Sequence, residues 1–296
     1  MSTAVIAVPK RRRFRLGAIA PYLQAMPLGL VLAVFLVIPI LTIVIVSFWD
    51  YDSVQIYPDF LFTNYIDLLT SQVTWKTYLN TIKYAVLVWL FTLVIGFTVA
   101  YFVAFHVKSA TAQMALFLIC TIPFLTSNII RMISWIPFLG RNGILNQALQ
   151  GIGVTDQPLE FLLFSDFSVI LTFVYLYAQF MVVPIFNSMM RIDRNLIEAA
   201  RDGGASGFQT LVNVIIPLTK SGILIGTIFV VTLVMGDFIT VRLMSGGQSA
   251  SVGLMIANEI SLLQYPAAAA NAVVLLIIVL LMVAAMLRVV DIRKEL

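Results

Sequence analysis

Charge is what this chain has least of. Only 11% of its 296 residues are Asp, Glu, Lys or Arg, against roughly 25% in a soluble globular domain, while 61% are hydrophobic. One aqueous core cannot hide that much apolar surface, which excludes an ordinary soluble protein. Histidine and cysteine are down to one each, His106 and Cys120. A lone cysteine excludes an intrachain disulfide, and the pair leaves no His/Cys cluster spaced for a metal, so no metal site is expected. Cys120 falls inside an apolar run, where packing is its expected role. A G-x-x-x-x-G-K-[ST] phosphate loop is also missing, so the chain is not expected to hydrolyse ATP itself. The net charge is +4, but no basic face exists outside the N-terminal tail and the loops, so nucleic-acid binding has no support.

What the chain does have is long runs without charge. A bilayer core of ~30 Å needs about 20 apolar helical residues. Leu16 to Trp49, Tyr84 to Phe105, Ser109 to Ile130, Phe167 to Met190 and Ile260 to Leu287 are each uncharged and long enough. Ser221 to Gly236 is shorter and is expected to extend through Asp237 to about Thr240 as the fifth crossing in order. The runs are continuously apolar rather than alternating over about ten residues, as barrel strands would. They predict an all-α membrane protein with six transmembrane helices and both termini on one side. The first run exceeds the roughly 7 to 15 apolar residues of a signal peptide and is expected to remain as an anchor. Residues 1–20 read as a basic tail and 21–296 as one transmembrane domain. The loops at about 49 to 82, 138 to 166 and 241 to 268 are too short to hold a soluble domain, and their Trp49, Tyr51, Tyr57, Tyr65, Trp75 and Tyr78 fit an interfacial aromatic girdle.

Lys and Arg set the orientation. Thirteen lie on one side: Lys10, Arg11, Arg12, Arg13, Arg15, Lys108, Arg191, Arg194, Arg201, Lys220, Arg288, Arg293 and Lys294. Five lie on the other: Lys76, Lys83, Arg131, Arg141 and Arg242, where nine of the fourteen acids also gather. Both termini and the loop at about 191–218 are therefore expected to be cytoplasmic.

That loop has internal punctuation. Asn195 and Glu198 are spaced as a capping box, and Gly203-Gly204 would tolerate the left-handed conformation that stops a helix over about 196 to 202. Ser206 and Gln209 repeat the capping-box spacing and predict a second helix leading to the membrane. Ala199 and Ala200 remove bulk from a surface where Leu196 and Ile197 are apolar and Glu198, Arg201 and Asp202 are charged, a combination suited to docking a partner.

The segment Glu198-Ala199-Ala200, with Gly204 following and Val214-Ile215-Ile216-Pro217 closing it, resembles the EAA loop of ABC importer permeases. The wider resemblance runs from about residue 28 through most of the chain. It includes Pro123-Phe124-Leu125-Thr126-Ser127-Asn128-Ile129-Ile130-Arg131, Gly143 to Leu149 and Leu196 to Leu218. These stretches are similar to the binding-protein-dependent permease family and, within it, to B-type permease subunits of spermidine/putrescine importers. The resemblance implies a type I ABC importer fold in the bacterial inner membrane. It also implies a second homologous permease, two ATPase subunits that carry the ATP and Mg, and a soluble substrate-binding protein. It assigns ATPase coupling to Glu198, Ala199, Ala200, Asp202, Gly203 and Gly204.

Polar groups among the helices cost about 2.5 to 3.5 kcal/mol per central charge and need partners or water. Asn128, Arg131 and Trp135, then Tyr175, Tyr177 and Gln179, then Asp237 and Arg242 are expected to line a passage. Tyr175 and Tyr177, two positions apart, face different sides of their helix, and packing fits at least one of them. Arg131 and Arg242 also fit snorkelling towards outer headgroups, and Gly222 with Gly226 fits helix packing. Asp237 suits a substrate amine and the arginines a carboxylate or phosphonate. Polyamine import is thus the family's default, and an amine-bearing organic acid such as an opine or amino-acid derivative is the alternative. Gly204-Ala205-Ser206-Gly207 also matches the rhomboid protease GxSG, but Ser206 falls in a charged loop and His106 on another helix end, so no catalytic residue is expected. An ion-coupled secondary transporter would show repeated halves and more intramembrane ionisable groups than Asp237.

Overall fold

The computed structural model describes residues 16–52 and 55–289. The basic residues of the N-terminal tail, together with Arg293 and Lys294, lie outside them. Helix α1 (Leu16–Leu32) passes through one π turn (Ala33–Val37) into α2 (Ile38–Val46). A small antiparallel hairpin, β1 (Asp50–Tyr51) with β2 (Ile56–Tyr57), pairs Asp50 with Tyr57 and leads to α3 (Thr63–Thr70). Ser71 caps α4 (Gln72–Tyr101) by accepting from the Thr74 N–H, and a second π turn (Phe102–His106) prolongs that helix. Then come α5 (Ala110–Thr121), a 3-10 turn (Ile122–Leu125), and the short helices α6 (Asn128–Ile133), α7 (Trp135–Leu139) and α8 (Ile144–Gly151). A reciprocal Ser165/Ser168 capping box opens α9 (Asp166–Met190). Beyond it lie α10 (Arg194–Asp202), α11 (Gly207–Thr210), a π turn (Leu211–Ile215), α12 (Ile216–Gly236), α13 (Ile239–Met244), α14 (Val252–Ser261) and α15 (Tyr265–Val289).

Five helical runs are long and apolar enough to cross a bilayer, and the bent pair Ala110–Leu125 and Asn128–Gly151 makes a sixth if counted as one span. Two expected spans differ in outline. The third was expected to be continuous from Ser109 to Ile130, but its two halves meet at 96°. Pro123 has no N–H to extend the ladder, and Thr126 turns its own N–H and hydroxyl back onto the Pro123 carbonyl, closing the turn. The fifth does not run through Asp237: α12 stops at Gly236, Asp237 takes an extended conformation (φ −81°, ψ 121°), and the chain restarts in α13. At its other end α12 begins earlier than Ser221, because α11 and the π turn feed straight into it. Two π turns end two residues before a proline, at Val37 before Pro39 and at Ile215 before Pro217. A proline ring clashes with the carbonyl four residues back, and slipping the ladder by one residue relieves that clash.

The core is a three-helix wedge of α4, α9 and α12. Met181 on α9, fully buried, sits between two glycines: a Cβ on Gly96 of α4 would lie 2.7 Å from its Cγ, and one on Gly226 of α12 2.6 Å from its Sδ. Gly222 meets the Pro184 carbonyl and Ser188 equally closely. Small residues at these crossings let the backbones approach, as in membrane helix packing. Some buried hydroxyls are answered within their own helices; Thr92 bonds the Val88 carbonyl at 2.8 Å and Thr219 the Ile215 carbonyl at 2.8 Å. The span Gln24–Val46, by contrast, has no buried residue in its apolar window, which suits a lipid-facing helix whose backbone bonds are all internal.

Candidate functional site

Two regions carry the polar residues singled out in the sequence. The first is α10, at the opposite end of α9 from Asp166. Its N-cap is Asp193, whose Oδ1 accepts the Asn195 N–H at 3.0 Å. The expected cap at Asn195 is thus displaced by two residues, because α10 already begins at Arg194 and Asn195 lies inside its first turn. The C-terminus is a Schellman motif: Ala205 N–H bonds the Ala200 carbonyl at 3.0 Å and Gly204 N–H the Arg201 carbonyl at 2.9 Å. Gly204 takes φ +87°, whereas Gly203 keeps φ −71°, so the left-handed position belongs to Gly204 alone. The Ser206/Gln209 capping box then forms as expected.

Ile197 is the buried anchor of α10, and Leu196 is half exposed. Glu198, Ala199, Asp202, Gly203 and Gly204 are exposed and Ala200 is half-buried. Beneath the helix a groove of about 190 Å³ is lined by Tyr101, Phe105, Arg194, Glu198, Arg201 and Thr210, among others. The helix is thus held on one side and free along its small-residue side.

The second region gathers at the breaks in the third and fifth spans. Arg131 on α6 is only 7% exposed, donates through Nη2 to the Asn128 side-chain oxygen, and lies 5.8 Å from the centre of the Tyr175 ring. Trp135 meets the same ring edge-on at 5.5 Å. Snorkelling is therefore not what this arginine does. Asp237 receives three hydrogen bonds: from the Tyr177 hydroxyl at 2.6 Å, the Thr240 hydroxyl at 2.7 Å and the Thr240 N–H at 2.9 Å. Thr240 was not among the expected passage residues, and Tyr177 was named there with packing as the alternative. The Asp-x-x-Thr spacing of 237 and 240 was the available signal, since a short acceptor three residues before a backbone N–H is a local cap. Asn128, Ile129, Met132, Tyr177, Asp237 and Phe238 border a cavity of about 380 Å³. Gln179 is buried with its Nε2 unpartnered, one turn along α9 from Tyr175. Arg242 stands apart, exposed, bonded to the Asn258 side chain at 3.1 Å and stacked on Phe238.

At the end of the wedge remote from α10, Asp166 accepts from Lys83 at 2.5 Å and from the Tyr84 and Ser249 hydroxyls. This clasp joins α4, α9 and the loop before α14, and no sequence spacing pointed to it because its members lie far apart in the chain.

A helical membrane bundle with two broken spans, polar side chains at the breaks and a cap-defined surface helix is the architecture of a solute permease. Its family follows from comparison. The chain belongs to the binding-protein-dependent transport system inner membrane component family, whose model matches residues 93–293. It is 34% identical over 244 residues to the spermidine/putrescine transport system permease protein PotB of Escherichia coli (strain K12), covering 81% of this chain and 87% of that one. The Haemophilus influenzae PotB is 33% identical over 229 residues, covering 76% and 78%. A chain of the crystal structure of the bacterial alginate ABC transporter in complex with an alginate pentasaccharide-bound periplasmic protein superposes with a TM-score of 0.76 at 18% identity, over 92% of this chain and 95% of that one. The chain is accordingly a membrane permease subunit of an ABC importer and not an enzyme.

Proposed function

We propose that this chain forms half of the passage through which a small amine-bearing organic solute, of the polyamine type carried by its relatives, enters the cytoplasm. The other half is a second, homologous permease. Two ATPase subunits bind ATP and Mg and engage α10, and a soluble binding protein delivers the solute at the opposite face. Such a periplasmic protein is present in the alginate transporter complex. Both termini and α10 face the cytoplasm, a reading supported by Lys108, Arg191, Arg194, Arg201 and Lys220 on that side. Asn128, Arg131, Trp135, Tyr175, Gln179 and Asp237 border the passage, and Arg242 stands at its outer rim.

The observation that carries this reading is α10. It is anchored by Ile197 yet presents Glu198, Ala199 and Asp202 to solvent, the arrangement a helix needs to enter a cleft in another protein. ATP binding closes the ATPase pair, α10 passes that movement to α9 and α12, and the passage opens outward. Glu198→Ala is expected to abolish ATP-dependent uptake in proteoliposomes holding the assembled importer, with membrane insertion of the chain unchanged. Uptake at the unmodified rate would sink the coupling role.

A further inference from the structure

Asp237 is a carboxylate at the break of the fifth span, and among the described residues no ion pair answers it. The ion pairs there are Lys83 with Asp166 and Arg141 with Glu160. The arginines of this region are engaged elsewhere, Arg131 with Asn128 and the Tyr175 ring, Arg242 with Asn258 and Phe238. What meets Asp237 is three hydrogen bonds from neutral groups, shared unevenly between its oxygens. Oδ2 accepts from both the Tyr177 and the Thr240 hydroxyl, whereas Oδ1 accepts only the Thr240 N–H. The Thr240 hydroxyl also stands 3.0 Å from Met132 Sδ, but a thioether is the weaker acceptor and leaves that proton to the carboxylate. An ionised carboxylate offers about four acceptor positions over its two oxygens. Oδ2 is therefore full, and Oδ1 keeps one position.

The space beside this carboxylate suits a cation on a methylene chain. Asp237 and Tyr177 both border the cavity of about 380 Å³, and Ile129, Met132, Leu233 and Ile239 give it apolar walls. Helix α12 ends at the same cavity, at Gly236, with no basic side chain in its last turn. The partial negative charge of that helix end adds to the charge of Asp237. A charge among membrane helices is costly until it is paired, and a protonated amine pairs it. We propose that the cavity holds one terminal ammonium of a polyamine, its N–H on Asp237 Oδ1 and its methylenes along the apolar walls, with Tyr177 as the positioning residue that fixes Oδ2 and so aims Oδ1. One carboxylate serves one nitrogen of the solute. The inference rests on reading this cavity as part of the passage.

The test is ATP-dependent uptake of radiolabelled putrescine and spermidine by proteoliposomes holding the assembled importer, with the binding protein saturated by solute so that capture does not set the rate. Asp237→Asn keeps the shape of the side chain but loses a charged hydrogen bond, and is expected to slow uptake about tenfold or more. Tyr177→Phe keeps the ring stacked on Phe173 and removes only the hydroxyl, for an expected loss of about threefold. Because Tyr177 acts through the carboxylate, adding Tyr177→Phe to Asp237→Asn is expected to slow uptake no further. Uptake by Asp237→Asn at the wild-type rate overturns the proposal. So does an equal loss from Tyr177→Phe in both backgrounds, which is what a packing role alone gives. Recovery of each assembled complex is measured alongside: should Asp237→Asn fail to assemble, unchanged uptake by Tyr177→Phe overturns the proposal, and slower uptake with assembly intact upholds it. A wild-type importer that takes up neither amine overturns the passage reading and this inference with it, whereas wild-type uptake that neither variant slows overturns this inference alone.

Discussion

Glu259 on α14 accepts from the Asn271 side chain through both carboxylate oxygens, at 2.9 and 3.2 Å. Burial pushes its carboxyl above the ordinary value of 4.5, and the Asn271 bond pulls back less strongly. Since the folded-state pKa is raised, ionising Glu259 costs stability. That part of the stability is full below 4.5 and is lost as pH rises through the folded value. Thermal unfolding of the purified importer between about pH 4 and pH 7 should therefore drop more steeply with pH in wild type than in Glu259→Gln; parallel curves would refute the burial argument. At this scale the sequence was legible where a residue acts on its own neighbours in the chain. Asn128, Arg131, Trp135 and Tyr175 were each named as candidates and do meet. Which of Tyr175 and Tyr177 packs was left open, and it is the Tyr177 hydroxyl that holds Asp237 from 60 residues away. Hydroxyl direction depends on tertiary placement, and spacing along one helix cannot supply it.

Among the elements, α10 shows how finely a helix end can be specified. Gly203 and Gly204 are adjacent, but only Gly204 needs the left-handed region, where an L side chain costs about 1–2 kcal/mol. A Cβ on Gly203 would lie 3.4 Å from two carbonyl oxygens, an ordinary contact. Gly204→Val should impair uptake by disordering the exit of α10, while Gly203→Ala should transport at close to the normal rate. Equal behaviour of the two variants in a proteoliposome uptake assay would contradict the Schellman assignment. Most of the spans could be drawn from charge-free runs alone, because lipid imposes a length and a helical backbone. The breaks at Thr126 and Asp237 could not. Each falls inside an uncharged or nearly uncharged run, and each is made by local polar bonds that hydropathy does not register.

Taken whole, the chain is a wedge of α4, α9 and α12 with a first span that buries nothing in its own fold. It lacks a phosphate loop and so has no engine of its own. Purified alone, it should bind no ATP by calorimetry, whereas the stable complex recovered from membranes should hold a second membrane subunit and two ATPases. Nucleotide binding by the isolated chain would contradict that division of labour.

The Asp166 clasp, finally, fixes where the wedge can turn. It fastens α4, the N-terminal end of α9 and the Ser249 loop to one another, leaving little room for those elements to slide separately. Helix α9, which carries Asp166 at its first position, is 25 residues long, about 38 Å at 1.5 Å per residue. On a lever of that length, pivoting about its clasped tip, a tilt of about 5° sweeps the α10 end through about 3 Å. A modest push at one membrane face is thereby geared into an angle at the other.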